Sequence, residues 1–135
     1  MRRGEIRWVN LDPAIGSEAN KRRPAVIVSN DGANSTAARL GRGIMTVVPM
    51  TSNIERVYPF QVLMTAAGTG LLQDSQAQAD QVKSIAVVRG GELAGQVPTR
   101  PMLEIYEALR MPIASVPRRR DPDLQAIVKD LLRRC

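Results

Sequence analysis

Four apolar runs limit what this chain can fold into. PAVIVS (24–29), IMTVVPM (44–50), FQVLMT (60–65) and AVVR (86–89) are each too short for a stable helix, and Gly, Pro, Asn or Asp stands close to most of them. Runs of this length and punctuation read as strands. GEIRWVNL (4–11) joins them, with Ile6 and Trp8 on one face, and AQADQVKSI (77–85) reads as a further short strand before a bend. PAVIVS is continuous enough to be covered on both sides, and Pro24 suits a strand's first residue, where a missing N–H is tolerated. Pro49 predicts an edge strand or a bulge near the end of its run. Residues 30–41 are polar and turn-rich, with one helical turn expected around 36–40. AAGTG (66–70) is expected to be a loop and Gly90-Gly91 a turn. The period then changes. Met102, Ile105, Tyr106 and Leu109 recur at helical spacing behind Thr99 as a candidate N-cap. In the tail, Asp121 can cap, Pro122 fits the first helical position, and Leu124, Ile127, Val128, Leu131 and Leu132 form one stripe. Strands first and helices afterwards predict a mostly β fold with helical additions, a small antiparallel barrel.

Composition narrows the function. With 135 residues the chain makes one domain, or one domain with an appendage. Aromatic residues are only 3%, so the core must be aliphatic. No apolar run approaches the ~20 residues a membrane span needs, and no apolar stretch follows the basic start, so neither a membrane location nor a signal peptide is expected. The single cysteine, Cys135, permits no disulfide within the chain and suggests the reducing cytoplasm. The sequence contains no histidine. Ser–His and Cys–His nucleophilic pairs are therefore excluded, and a zinc site built from one cysteine is not expected. The carboxylates Asp12, Glu18, Asp31, Asp74 and Asp80 show no metal-ligand spacing, so no metal or other cofactor is expected.

The net charge of +6 favours a polyanionic partner. Much of it lies in the tail, where Arg118, Arg119, Arg120, Lys129, Arg133 and Arg134 outnumber Asp121, Asp123 and Asp130. The body is only mildly basic, so an anion site there must be local. NKRRPAVIVSND (20–31) supplies one candidate: Lys21, Arg22 and Arg23 stand at the mouth of a strand, behind a loop holding Gly16, Ser17 and Glu18. These cations read equally as a solvated turn or as an anion site, and the neighbouring Gly-containing loop favours binding. Thr51 and Ser52, before Asn53, read on their own as strand-end capping. Asp80, Gln81, Lys83 and Ser84 read on their own as the wet face of a sheet.

RRGEIRWVNLDPAIGSEANKRRPAVIVSND, then VVPMTSN, YPFQVLM and AQADQVKSIAVVR, in that order and spacing, resemble the MazF/PemK family of toxin endoribonucleases over about residues 2–109. The resemblance implies an SH3-like barrel of the plasmid-maintenance-toxin, CcdB-like type that forms a homodimer, spanning residues 1–112. A basic C-terminal extension, 113–135, follows and is expected to be helical from 122. It also implies metal-independent cleavage of single-stranded RNA and a cognate antitoxin protein as partner. Arg23 and Thr51 match the family's catalytic pair. Ser17, Glu18, Lys21, Arg22, Ser52, Asn53, Gln81, Lys83 and Ser84 are the implied substrate contacts. Two departures stand out. Arg7 occupies a position that is usually aromatic or apolar in the family, and Pro98 and Pro101 alter the entry to the helix around Met102. The alternatives are a CcdB-like toxin that binds DNA gyrase without catalysis, which an intact Arg23 and Thr51 argue against, and an RNA-binding barrel that has lost activity.

Overall fold

The computed structural model describes residues 1–11 and 22–115, with side chains through Arg110. Seven strands form one antiparallel system: β1 (Glu5–Asn10), β2 (Arg22–Ile27), β3 (Ile44–Thr51), β4 (Gln61–Met64), β5 (Ser75–Gln78), β6 (Lys83–Ala86) and β7 (Gly90–Gln96). Their order is β4-β5-β3-β2-β1-β7, with β6 also on β3. The result is the expected small antiparallel barrel, left open between β4 and β7. Helices α1 (Asp31–Leu40), α2 (Ala66–Thr69) and α3 (Thr99–Ser115) complete it. No helix among the described residues is long and apolar enough to cross a membrane.

Strand alternation builds two cores. In β2, Val26 points into a cluster with Ile6, Val48, Met50, Met102 and Ile105, under α3. Its neighbours Ala25 and Ile27 point the other way, into a cluster with Val9, Met45, Val47 and Ala37 of α1. PAVIVS is thus covered on both faces, as its unbroken apolar character requires. The spacing of Met102 and Ile105 likewise marks the face of α3 that enters the core. Pro101 is accommodated because it lies in the first helical turn, where its missing N–H is not needed.

Several elements differ from the sequence-based expectation. Residues 31–40 form a full helix rather than one turn. Asn30 caps it by accepting the Ala33 N–H at 2.8 Å, and Gly41 closes it at φ 64°. Asn34, fully buried, donates to the Ser29 carbonyl at 2.9 Å and ties the helix to the strand before it. Local polarity hid a helix held by caps and one buried amide. AAGTG is a single helical turn, capped by Thr65 and closed by Gly70. The run 77–85 is broken by a 3-10 turn at Ala79–Gln81, and Val87–Arg89 is a second such turn, so neither is a continuous strand. Gly90-Gly91 opens strand β7 instead of making a turn. Close approach explains the glycines of β7. A Cβ on Gly91 would lie 3.1 Å from the Trp8 carbonyl oxygen, and one on Gly95 would collide with the Thr69 carbonyl oxygen. Of the basic extension expected at 113–135, residues 116–135, including the helix expected from 122, lie outside the described residues. α3 itself continues to Ser115.

Two outcomes follow from this packing. Gly95→Ala is expected to destabilise the protein by about 1–3 kcal/mol, because backbone must move to admit the methyl group; thermal melting against wild type measures it. Glu5 provides the second. Burial raises its pKa, but the Arg2 N–H at 2.7 Å, the Arg7 guanidinium at 3.2 Å and the N-terminal ammonium outweigh that effect and leave it below the ordinary 4.5. A lowered folded pKa stabilises above the unfolded value and is lost as pH falls through the folded one. The melting-temperature gap between wild type and Glu5→Gln is therefore expected to be widest above pH 4.5 and to close in acid. A gap independent of pH would mean the carboxylate charge contributes nothing.

Candidate active site

Strand β3 creates the site by outrunning one partner. Along one edge its middle residues pair with β2, in the register Ile27↔Val47, Val26↔Val48 and Ala25↔Pro49. Along the other edge residues 44–47 pair with β6, and the last two residues pair with β5, Met50↔Ala77 and Thr51↔Gln76. Pro49 has no N–H to continue a ladder, and the β2 pairing ends beside it. β3 is consequently a central strand with three neighbours. The expected edge position is corrected: the proline is accommodated where the β2 pairing ends, not at a sheet margin.

Beyond Ala25↔Pro49 the two strands part, but the register still puts Arg23 opposite Thr51. Arg23 remains fixed on the other side by pairing with Val9, as Arg22 is by pairing with Asn10. A cleft of about 520 Å³ occupies the opening. Arg22, Arg23, Thr51 and Ser52 line it, together with Trp8 and an apolar lip formed by Leu71, Leu72 and Leu93. The Arg22 guanidinium sits over the Trp8 ring, 5.7 Å from its centroid. This contact holds a cation at the rim while leaving its donors available. The described lining includes two guanidiniums and no carboxylate. Thr51 accepts the Asn53 N–H at 3.2 Å, which turns the chain sharply after β3 and fixes the hydroxyl at the strand end.

The other candidates divide into groups. Ser17, Glu18 and Lys21 lie outside the described residues. Arg22, Arg23, Thr51 and Ser52 come together in the cleft, and Asn53 stands just beyond it. Lys83 and Ser84 do not line the cleft. They pair with Val47 and Thr46, at the far end of β3, ~13 Å along the strand from Thr51. Gln81 belongs to the 3-10 turn before β6, so it does not alternate with Lys83 on one strand. Arg7 is also outside the cleft. Its guanidinium is engaged with Glu5 at 3.2 Å and with the Gly91 carbonyl at 3.1 Å, so it braces β1 against β7.

The sequence reading missed a neighbouring set of residues. Gln76 and Gln78 on β5, with Tyr58 and Gln61, line a second pocket of about 240 Å³ that shares Thr51 with the cleft. The available signal was two glutamines two residues apart in the strand SQAQ, which puts both on one face.

Comparison with known proteins shows the family and the fold. The family model described as PemK-like, MazF-like toxin of type II toxin-antitoxin system matches residues 2–112. Endoribonuclease MazF9 of Mycobacterium tuberculosis is 60% identical over 111 residues, covering 82% of this chain and 94% of that protein. Among solved structures, MazF from Deinococcus radiodurans superposes with a TM-score of 0.68 at 26% identity, covering 84% of this chain and 96% of that one. A MazE-MazF structure from the same organism gives a TM-score of 0.60 at 25% identity, covering 81% and 90%.

Proposed function

Because the chain belongs to the PemK-like, MazF-like toxin family and is an endoribonuclease of a type II toxin–antitoxin system, we propose that it cuts single-stranded RNA in the cleft between Arg23 and Thr51. The observation that carries this assignment is the register of β2 and β3, which faces a guanidinium with a hydroxyl across a cleft whose described lining has no carboxylate.

RNA brings its own nucleophile. The 2′-oxygen beside the scissile phosphate forms a new bond to phosphorus and the bond from phosphorus to the 5′-oxygen breaks. The 2′-hydroxyl proton is given up to a base, and the departing 5′-oxygen takes up a proton. The products are a 2′,3′-cyclic phosphate and a 5′-hydroxyl. Negative charge grows on the phosphoryl oxygens during this exchange. The fork of donors on Arg23 matches those oxygens, and the Thr51 hydroxyl can donate from the opposite strand end. Such stabilisation needs neither histidine nor metal. A guanidinium is a poor proton acceptor, so Glu18 or an ordered water takes the proton. Arg22 and Lys21 draw the phosphate backbone toward the rim, Ser17, Ser52 and Asn53 contact nucleotides at the cut, and Gln81, Lys83 and Ser84 contact RNA farther along.

The same cleft suits an antitoxin segment carrying carboxylates and apolar side chains, which would meet Arg22, Arg23 and the leucine lip and compete with RNA. The existence of a MazE-MazF structure for the Deinococcus radiodurans relative supports such a partner. The protein acts in the cytoplasm as a homodimer, where cutting RNA stops translation and growth.

The test is incubation with a long single-stranded RNA in excess EDTA, mapping cut positions and end chemistry. Discrete cuts with cyclic-phosphate ends are expected. Arg23→Ala and Thr51→Ala are each expected to slow cutting by about 10²–10³-fold, with melting temperature and dimer mass by light scattering unchanged. Loss of folding in Arg23→Ala would make that residue structural. A folded, dimeric wild-type protein that cuts nothing would overturn the assignment in favour of a binding toxin.

A further inference from the structure

Arg7 lies outside the cleft, yet it holds backbone on which the rim of the cleft rests. We propose that Arg7 is a positioning residue for RNA binding: by fixing the Gly91 carbonyl it sets where the Arg22 guanidinium lies against Trp8. The proposal rests on the RNA-cleavage assignment above and adds to it a residue that tunes substrate affinity without touching substrate.

Strand β7 follows β1 unevenly. Glu5↔Gln96 and Ile6↔Gly95 are followed by Arg7↔Leu93 and then Val9↔Gly90, so the register shifts on both sides of Arg7. Ala94 is the extra residue at the first shift. At the second, Gly91 and Glu92 together stand against Trp8. Shifts of this kind interrupt the ladder and re-aim side chains. β7 is also last in the strand order, so β1 is its only strand neighbour among the described residues. It nevertheless supplies Leu93 and Ala94 to the cleft. Arg7 fastens this irregular segment. Its Nη1 donates to the Gly91 carbonyl at 3.1 Å, while its Nε donates to Glu5 Oε1 at 3.2 Å. One planar group with donors on two nitrogens makes both bonds at once, which a lysine could not do in the same geometry. Gly91 then links the two arginines. A Cβ on Gly91 would lie 3.1 Å from the Trp8 carbonyl oxygen and 3.5 Å from Arg22 Nη2. The Arg22 guanidinium therefore rests at contact distance from the place where a side chain at 91 would begin. From there it reaches over the Trp8 ring, 5.7 Å from the centroid. The seat of the rim cation is thus the backbone of one glycine, and the carbonyl of that glycine is the group Arg7 holds. A purely apolar side chain at position 7 has no donor for it.

Two simpler roles compete: Arg7 only stabilises the sheet, or it attracts RNA only by its charge. A double-mutant cycle separates them from positioning. Wild type, Arg7→Met, Arg22→Met and the double variant are titrated, at one fixed salt concentration, with a mixed-sequence pool of 2′-O-methyl oligonucleotides, which has no 2′-hydroxyl to attack. Arg7→Met keeps most of the side chain's length and removes its donors. It is expected to weaken binding about three- to tenfold, but by less than about twofold once Arg22 is already Met, because the two act through one contact. Trp8 is the only tryptophan, so its fluorescence reports the rim directly. Acrylamide is expected to quench it more strongly in Arg7→Met than in wild type, with both proteins folded by thermal melting. On a cleavable oligonucleotide, Arg7→Met is expected to raise KM and leave kcat unchanged, the pattern of lost ground-state binding. The same loss of affinity in both backgrounds means charge or stability alone and overturns the proposal, as does Trp8 quenching that Arg7→Met leaves unchanged. Should wild type bind the pool but cut nothing, the ribonuclease assignment fails by itself, and the binding cycle with Trp8 quenching still decides the role of Arg7. A folded wild type that binds no RNA overturns both.

Discussion

The end of the β2–β3 ladder at Pro49, before β3 itself ends at Thr51, is the constraint on which the rest depends. A strand hydrogen-bonded along one neighbour for its whole length leaves no room between the two. Here Ala25↔Pro49 is the last pair with β2, while Met50 and Thr51 stay paired with β5 along the opposite edge. The proline cannot donate, so ending one ladder beside it sacrifices little. The separation that follows is the cleft. Its walls are strand ends, not loose loops. Arg23 is held by the β1 ladder and Thr51 by the β5 ladder, so each side chain stands on backbone fixed from the opposite direction. Chemistry that relies on placing charge benefits from this rigidity, because donors already in place need no reorganisation as the transition state forms.

A chain without histidine must do its electrostatic work with permanently charged groups. Arginine suits that role, since the guanidinium does not deprotonate in proteins. Its usual drawback is that a nearby carboxylate claims the charge. Elsewhere on this surface that happens: Arg7 is engaged with Glu5, and Arg110 with Glu107. In the cleft the described lining offers no acidic partner, and Arg22 rests on an indole ring instead. A π-face steadies a cation without neutralising it.

The parts legible in the sequence were those governed by local pattern. PAVIVS announced a two-sided core strand, and the spacing of Met102 and Ile105 announced the buried face of α3. Both signals are burial signals, and burial is what apolar periodicity reports. The failures were tertiary. Helix α1 has little apolar periodicity and is held by Asn30, Gly41 and the buried Asn34, so its sequence reads as turn. Strand β7 is GGELAGQ, poor in β-formers, because Gly91 and Gly95 must lie against the backbone of Trp8 and of Thr69. Pro49 was read as the mark of an edge or of a bulge near the strand's end; the edge reading fails, since β3 has partners along both edges. Arg23 and Thr51 came from motif order, and only the register explains why residues 28 positions apart belong together.

Gln76 and Gln78 illustrate the opposite limit, where local pattern misleads. A short strand with glutamines on one face normally means that face is wet. Here that face is turned inward, with Gln76 almost fully buried and its oxygen unmatched. Thr51 sits between the two environments, with the cleft on one side and the glutamine-lined pocket on the other. That position follows from β3 keeping β5 along one edge after β2 has ended along the other.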